Sequence, residues 1–197
     1  MCYYVERIQK HEGVGSFMNA KDCLLQRRSC RRFLDKPIDR NTVRRIIDLA
    51  RFAPSWKNTQ IVRYTVIDTP EVKNDIAENC VRGYTFNTKT IQRAAALAVI
   101  TYETGHSGRD TNGDLQSADA EKWEMFDAGI AAQTFCLAAR EYDVGTCIIG
   151  VIDEEGIAQK LQLPANQKVA CLVAMGYPEI WKDGPARLAS EDLLNFM

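Results

Sequence analysis

The chain has 197 residues, 46% of them hydrophobic and 26% charged, and its 25 basic and 26 acidic side chains leave a formal net charge of −1. That length suits one domain with its own core, and the balanced charge excludes a broad basic field for nucleic acid or a membrane surface. No apolar run reaches the roughly 20 residues of a transmembrane helix, residues 1–17 hold no signal-peptide core, and the seven cysteines form no C-x-x-C, so a cytoplasmic protein with reduced thiols is expected.

Residues 1–17 read as an N-terminal extension outside the core fold, because Met18 begins a segment that could itself start the chain; residues 18–197 read as a single domain. In "NAKDCLLQRRS" a cap at Asn19 or Asp22 precedes Leu24 and Leu25, which predicts a short helix ending near a cluster of arginines. "DRNTVRRIIDLARFAPS" predicts a second helix, capped by Asp39 or Asn41, with Val43, Ile46, Ile47 and Ala50 on one face and Pro54 as its stop. "QIVRYTVID" alternates as a strand with Val62, Tyr64 and Val66 inward, and "TPEVKNDIAENC" opens a helix with Thr69 as cap and Pro70 at its first position. "AAALAVITY" is apolar throughout, as a strand buried on both faces should be. Residues 103–120, rich in Gly, Ser, Asn and Asp, predict a long surface loop of the kind that serves as a lid. The run from Glu121 predicts a helix of about six turns, apolar nearly all round and closed by Gly145. A short helix capped by Asp153 and a last strand in "KVACLVAMGYP" follow. This irregular alternation predicts an α+β protein with helices around a mixed sheet.

Much familiar chemistry is missing. His11 and His106 are the only histidines, and H-E-x-x-H, G-x-S-x-G and G-x-x-x-x-G-K-[ST] do not occur. "GVGSFM" lacks the strand and third glycine of a dinucleotide fingerprint. Asp110, Asn112, Asp114 and Glu121 fit positions 1, 3, 5 and 12 of a calcium loop, but Leu115 stands where the sharp turn wants glycine.

Three separated segments supply what a phosphorylated aromatic cofactor needs. In "RRSCRRF" Arg27, Ser29 and Arg31 recur at every second position, so an extended chain points two guanidinium forks and a hydroxyl one way. "APSWKNTQ" breaks a helix at Pro54 and displays Ser55, Trp56, Asn58 and Gln60, whose amides both donate and accept, as a pyrimidine edge requires. In "GTCIIGV" two glycines bracket an apolar run and permit close approach of a flat ligand. Cys30 and Cys147 beside these segments read as buried, inert thiols.

In these stretches, with "LLQRRSCRRF", "ARFAPSWKNTQ", "DAGIAAQTFCLAAREYDVGTCIIG" and "VACLVAMGYPE" in order from about residue 20 to 190, the chain resembles the FMN-dependent nitroreductase family. The resemblance implies a homodimer of α+β subunits, each with a central mixed, mainly antiparallel sheet flanked by helices, and FMN at the interface. It implies cofactor binding by Arg27, Arg28, Ser29 and Arg31, with Arg27 near the phosphate and Arg31 near the N1–C2 edge; Arg28 and Arg32 alternate away and also suit a surface or interface. Pro54, Ser55, Trp56 and Asn58 would come from the other subunit. Ile149 and Gly150 would offer main-chain N–H groups near N5, so that Arg31, Ile149 and Gly150 carry the catalysis. Arg187, ahead of Lys182, would close over the phosphate. The implied activity is ping-pong hydride transfer from NADH or NADPH to nitroaromatic, quinone-like or other flat acceptors. The alternatives are a flavin sensor or carrier, and a branch that fragments the flavin or removes halogen. One departure is that Gln60 is followed by Ile61, Val62 and Arg63, where the family often has Pro-Trp.

Overall fold

A computed structural model describes residues 18–197, so the expected extension at 1–17 lies outside the described residues. In chain order the elements are α1 (Ala20–Gln26), α2 (Arg40–Ala50), a short 3-10 turn (Trp56–Asn58), β1 (Val62–Ile67), α3 (Pro70–Asn79), α4 (Thr85–Arg93), β2 (Ala96–Glu103), α5 (Ala120–Glu141), β3 (Gly145–Ile149), α6 (Glu154–Lys160), β4 (Gln167–Gly176) and α7 (Ser190–Leu193). The strands form one antiparallel sheet in the order β1-β2-β4-β3. Among the described residues the one parallel pairing is an isolated bridge between Ser29 and Thr146. This is the α+β architecture that the irregular alternation predicts, with helices on both faces.

The apolar-throughout strand explains the layering. β2 lies inside the sheet, and its side chains alternate between two cores. Leu97 and Val99 join Ile76, Ile91 and Ile157 of α3, α4 and α6, while Ala96, Ala98 and Ile100 join Ile46, Phe135 and Cys136 of α2 and α5. Tyr64 stacks on Phe135 with ring centroids 5.6 Å apart, so β1 and α5 share this second core. Burying each such side chain contributes about 1.5–3 kcal/mol.

The helix ends follow their caps. Asn19 accepts from Asp22 N–H, Asp39 accepts from the N–H groups of Asn41 and Thr42, and Asp153 accepts from Gly156 N–H, each satisfying a donor with no partner inside its helix. Other features differ from expectation, among them Thr69, which precedes α3 but makes no side-chain capping hydrogen bond. α5 closes at Tyr142, and Asp143, at φ 57°, takes the left-handed turn; Gly145 instead opens β3. α4 was not expected, because "TFNTKTIQR" shows little apolar stripe. Its last turn is held by the buried Lys73 of α3, whose ammonium donates to the carbonyls of Gln92 and Ala94, and burial pushes that lysine's pKa down. Among the described residues no helix is long and apolar enough to cross a membrane.

Candidate functional site

Past α1 the chain becomes extended and runs beside β3, the edge strand. Ser29 forms its bridge with Thr146, Cys30 N–H donates to Thr146 O at 2.8 Å, and Leu34 N–H donates to Tyr177 O at 2.8 Å. An edge strand offers a row of unused main-chain groups, and here the arginine segment uses them. The alternation read from the sequence holds only at Ser29, Cys30 and Arg31, where Cys30 is buried between exposed neighbours; Arg28 and Arg32, expected to turn away, line one cleft with Ser29 and Arg31, and Arg27 does not, because Arg28 folds back over the main chain. Gly145 and Gly176, partners across β3 and β4, make the close approach possible. A Cβ on Gly145 would sit 2.5 Å from Pro178 and 2.8 Å from Cys30 Sγ, and one on Gly176 would sit 2.8 Å from the Phe33 ring. The first glycine of "GTCIIGV" thus admits the arginine segment rather than a flat ligand.

A cleft of about 300 Å³ opens beside this segment, lined by Arg28, Ser29, Cys30, Arg31, Arg32, Glu179, Ile180 and Lys182. Arg28 folds back, donating to the carbonyls of Leu25 and Arg27 at 2.6 and 2.8 Å, and its guanidinium fills the space a Cβ on Gly184 would need. Its buried Nε has no hydrogen-bond partner among the described residues. Three guanidinium groups, an ammonium and a hydroxyl against one carboxylate form a donor set that fits a phosphate. Arg27 is half-buried and off this wall. Arg187 is exposed and donates to Pro185 O within its own tail; the basic tail residue on the wall is Lys182, beside Glu179 and Ile180. Burial pushes the Cys30 and Cys147 thiols above the ordinary range, which keeps them protonated; Arg31 opposes this at Cys147 by less.

Ile149 ends β3 with its side chain in the core, and Gly150 leaves the sheet with open space where a Cβ would point. Because Thr146 turns its carbonyl outward to Cys30, strand alternation turns the main chain of Ile148 outward and that of Ile149 toward β4. Gly150 is therefore the more open main-chain donor of the pair.

The second segment, 53–60, is built differently. Lys57, Asn58 and Gln60 have φ of 45°, 59° and 52°, left-handed conformations that cost non-glycine residues about 1–3 kcal/mol each unless the surroundings impose them. The surroundings are side chains. Trp56 N–H donates to both oxygens of the buried Asp127 at 3.0 and 3.2 Å, and Gln60 N–H donates to Ser55 Oγ at 2.9 Å. Trp56 also donates its indole N–H to Arg109 O at 2.9 Å and packs on Trp123 with centroids 4.8 Å apart. Arg63, at the departure from the family pattern, holds Gln60 O at 2.7 Å and pairs with Glu103. Pro54, Ser55 and Gln60 line a cleft of about 420 Å³ with Arg51, Tyr64 and Asp127, whereas Trp56 and Asn58 stand outside its wall, Asn58 exposed. Sequence reading missed Asp127 and Ser107; the signal for the first was one acid inside the apolar run "FDAGIAAQTF".

The two clefts share no residue and lie at opposite edges of the sheet, one beside β3 and one beside β1. Three strand spacings separate those edges, about 14 Å.

The nitroreductase family model matches residues 24–95 and 82–177. The chain is 26% identical over 185 residues to an oxygen-insensitive NADPH nitroreductase of Helicobacter acinonychis, covering 79% of this chain and 86% of that one. It is 27% identical over 181 residues to a 5,6-dimethylbenzimidazole synthase of Rhodospirillum rubrum, covering 83% and 84%. The crystal structure of a nitroreductase family protein from Clostridium novyi superposes with a TM-score of 0.71 at 28% identity, over 84% of this chain and 89% of that one. With an α+β core, a basic segment docked on one sheet edge and a family model matched across most of its length, the chain belongs to the nitroreductase family.

Proposed function

We propose that the protein is an FMN-dependent NAD(P)H oxidoreductase that works as a homodimer, with the FMN between two chains. The observation that carries this reading is the cleft beside the segment docked on β3, where Arg28, Ser29, Arg31 and Lys182 gather. FMN, when bound, supplies a ring whose N5 takes hydride from NADH or NADPH and passes it to a nitroaromatic, quinone-like or other flat acceptor, which gives ping-pong turnover.

The chain's own residues do the rest. Arg28 and Lys182 hold the phosphate, with Arg27 and Arg187 close enough in sequence to join them. Ser29 supplies a hydroxyl facing the same way, and Arg31 sets a fixed positive charge at the pyrimidine edge, a preorganised field that favours the build-up of electron density there. Gly150 leaves room for a flat ring and offers an N–H. No protein acid or base is required. The turn carrying Pro54, Ser55, Trp56 and Asn58 belongs to the opposite edge, so in this reading it reaches the ring from the partner chain, and one open face serves donor and acceptor in turn.

The test is the visible spectrum of the purified protein with the mass of any small molecule that heat releases, followed by anaerobic NADH or NADPH. Flavin bands, a mass for FMN and rapid bleaching support the proposal. A colourless protein that takes up no added FMN sinks it, and a yellow protein indifferent to both nicotinamides makes it a flavin carrier or sensor. A second reading, a branch that fragments the flavin, is favoured by the similarity to the R. rubrum synthase. Accumulation of 5,6-dimethylbenzimidazole during turnover in air would select it.

A further inference from the structure

We propose that Asp127, acting with Ser107, is a positioning residue that fixes the turn at 55–60 and couples it to the loop at 104–119. In what it says of turnover this rests on the flavoenzyme reading above; in what it says of the turn it rests on geometry alone.

Asp127 is 2% exposed, in a stretch of α5 whose other buried residues are Ala128, Ala131, Ala132 and Phe135. A carboxylate in such a place is costly unless hydrogen bonds satisfy it. It receives three: two from Trp56 N–H and one from the hydroxyl of Ser107 at 2.6 Å. Ser107 is fully buried although it belongs to a loop of polar residues. Its single proton goes to Asp127, so its oxygen is free to accept, and Thr59 Oγ1 stands 3.1 Å away as the donor. A chain from Thr59 through Ser107 to Asp127 and back to Trp56 N–H therefore closes around the turn. The residues inside that ring include Lys57 and Asn58, both left-handed. One turn earlier on the same face of α5, the buried Glu124 accepts from Gly105 N–H at 2.6 Å. α5 thus presents two carboxylates three residues apart, one seizing the loop and the other seizing the turn with the loop's serine. The loop, expected as a lid, is the second jaw of a clamp. Gly108 seals it against the helix: at φ 76°, a Cβ there would lie 2.5 Å from Ala120 Cα.

The consequence is that loop and turn move together, so the loop determines how the turn presents Asn58 to an acceptor. The experiment compares wild type, S107A, D127A and D127N by amide hydrogen exchange without FMN, and by steady-state and flavin-reduction kinetics with it. In S107A and D127A the amides of Trp56 and Gln60 are expected to exchange at least about tenfold faster while those of β2 and β4 keep their protection, the signature of local opening. D127N, which keeps an oxygen for Trp56 N–H and an N–H₂ for Ser107, is expected to restore most of that protection. In the loaded enzyme S107A is expected to raise KM for the acceptor about tenfold, with the rate of flavin reduction by NAD(P)H little changed. Unchanged exchange at 55–60 in both S107A and D127A would overturn the clamp, and faster exchange with unaltered acceptor KM would overturn the coupling. Should D127A fail to fold, S107A carries the test. Wild type that binds no FMN, with exchange as described, would overturn the flavoenzyme reading and leave the clamp standing.

Discussion

The segment at 27–33 and the segment at 53–60 both follow a helix, both lie outside the long helices and the sheet strands and both carry residues proposed for the site, yet different forces hold them. The first is held by main chain: Cys30 N–H donates to Thr146 O, Leu34 N–H just past it donates to Tyr177 O, and paired glycines let it lie flat on the sheet edge. The second is held by side chains distant in sequence, 71 residues away for Asp127 and 48 for the Thr59–Ser107 pair, and its backbone is strained. Main-chain docking gives a stiff shelf suited to fixed charges. A side-chain clamp gives a surface that a single substitution can retune. On the proposed reading, phosphate binding belongs on the former and acceptor choice on the latter.

A main-chain shelf and a side-chain clamp should fail differently when single side chains are changed. Gly145→Val should do most damage, because its side chain enters space held by Pro178 and Cys30. Overpacking of this kind costs about 1–3 kcal/mol or more, and each kcal/mol lowers Tm by about 2–4 °C in a chain of this size. Thermal unfolding should show that fall together with loss of FMN, whereas Gly150→Ala, with open space at its Cβ, should leave Tm almost unmoved. Next come Arg28→Ala and Lys182→Ala, each removing a charge-assisted contact worth about 1.5–3 kcal/mol, hence about 10- to 100-fold in FMN affinity by titration. Arg31→Ala should chiefly slow flavin reduction in stopped flow. A smaller effect is expected for Ser55→Ala, which strips Gln60 N–H of its acceptor; about 1 kcal/mol should be lost in urea unfolding, with FMN still retained.

The smallest effect near neutral pH concerns ionisation. Burial pushes Cys171 from its ordinary value of 9.0 up to about 12, and Tyr64 from 10.0 up to about 12. The unfolded chain therefore releases these protons first. Native stability should be flat through neutral pH with respect to these groups and decline as pH rises from about 9 toward 12, a slope that Cys171→Ala should flatten in pH-dependent urea titrations.

Legibility follows the same division. The buried strand at 96–103 and the long helix at 120–141 are readable because their apolar runs are long, whereas strand period misassigns the arginines: Arg28 and Arg32 line the cleft and Arg27 does not, since Arg28 folds back onto the carbonyls of Leu25 and Arg27. α4 was hidden because a lysine on α3 holds its end. The role of Gly145 was hidden because the neighbours that crowd it, Pro178 and Cys30, lie 33 and 115 residues off along the chain. Sequence placed Arg187 ahead of Lys182 because both follow the last strand in a tail of little regular structure, where no periodicity says which side chain turns to the cleft. Asp127 was visible as an oddity in an apolar helix, but its partners were not.

On the proposed reading each chain carries the two halves of a flavin site on opposite edges of its sheet, so that a complete site needs two chains. Native mass spectrometry of the protein titrated with FMN tests this most directly. The prediction is that FMN appears on the dimer, that monomer generated by dilution carries none, and that Arg28→Ala strips the flavin while the dimer persists. FMN retained by a single chain, or a dimer that takes up no FMN at all, would contradict it.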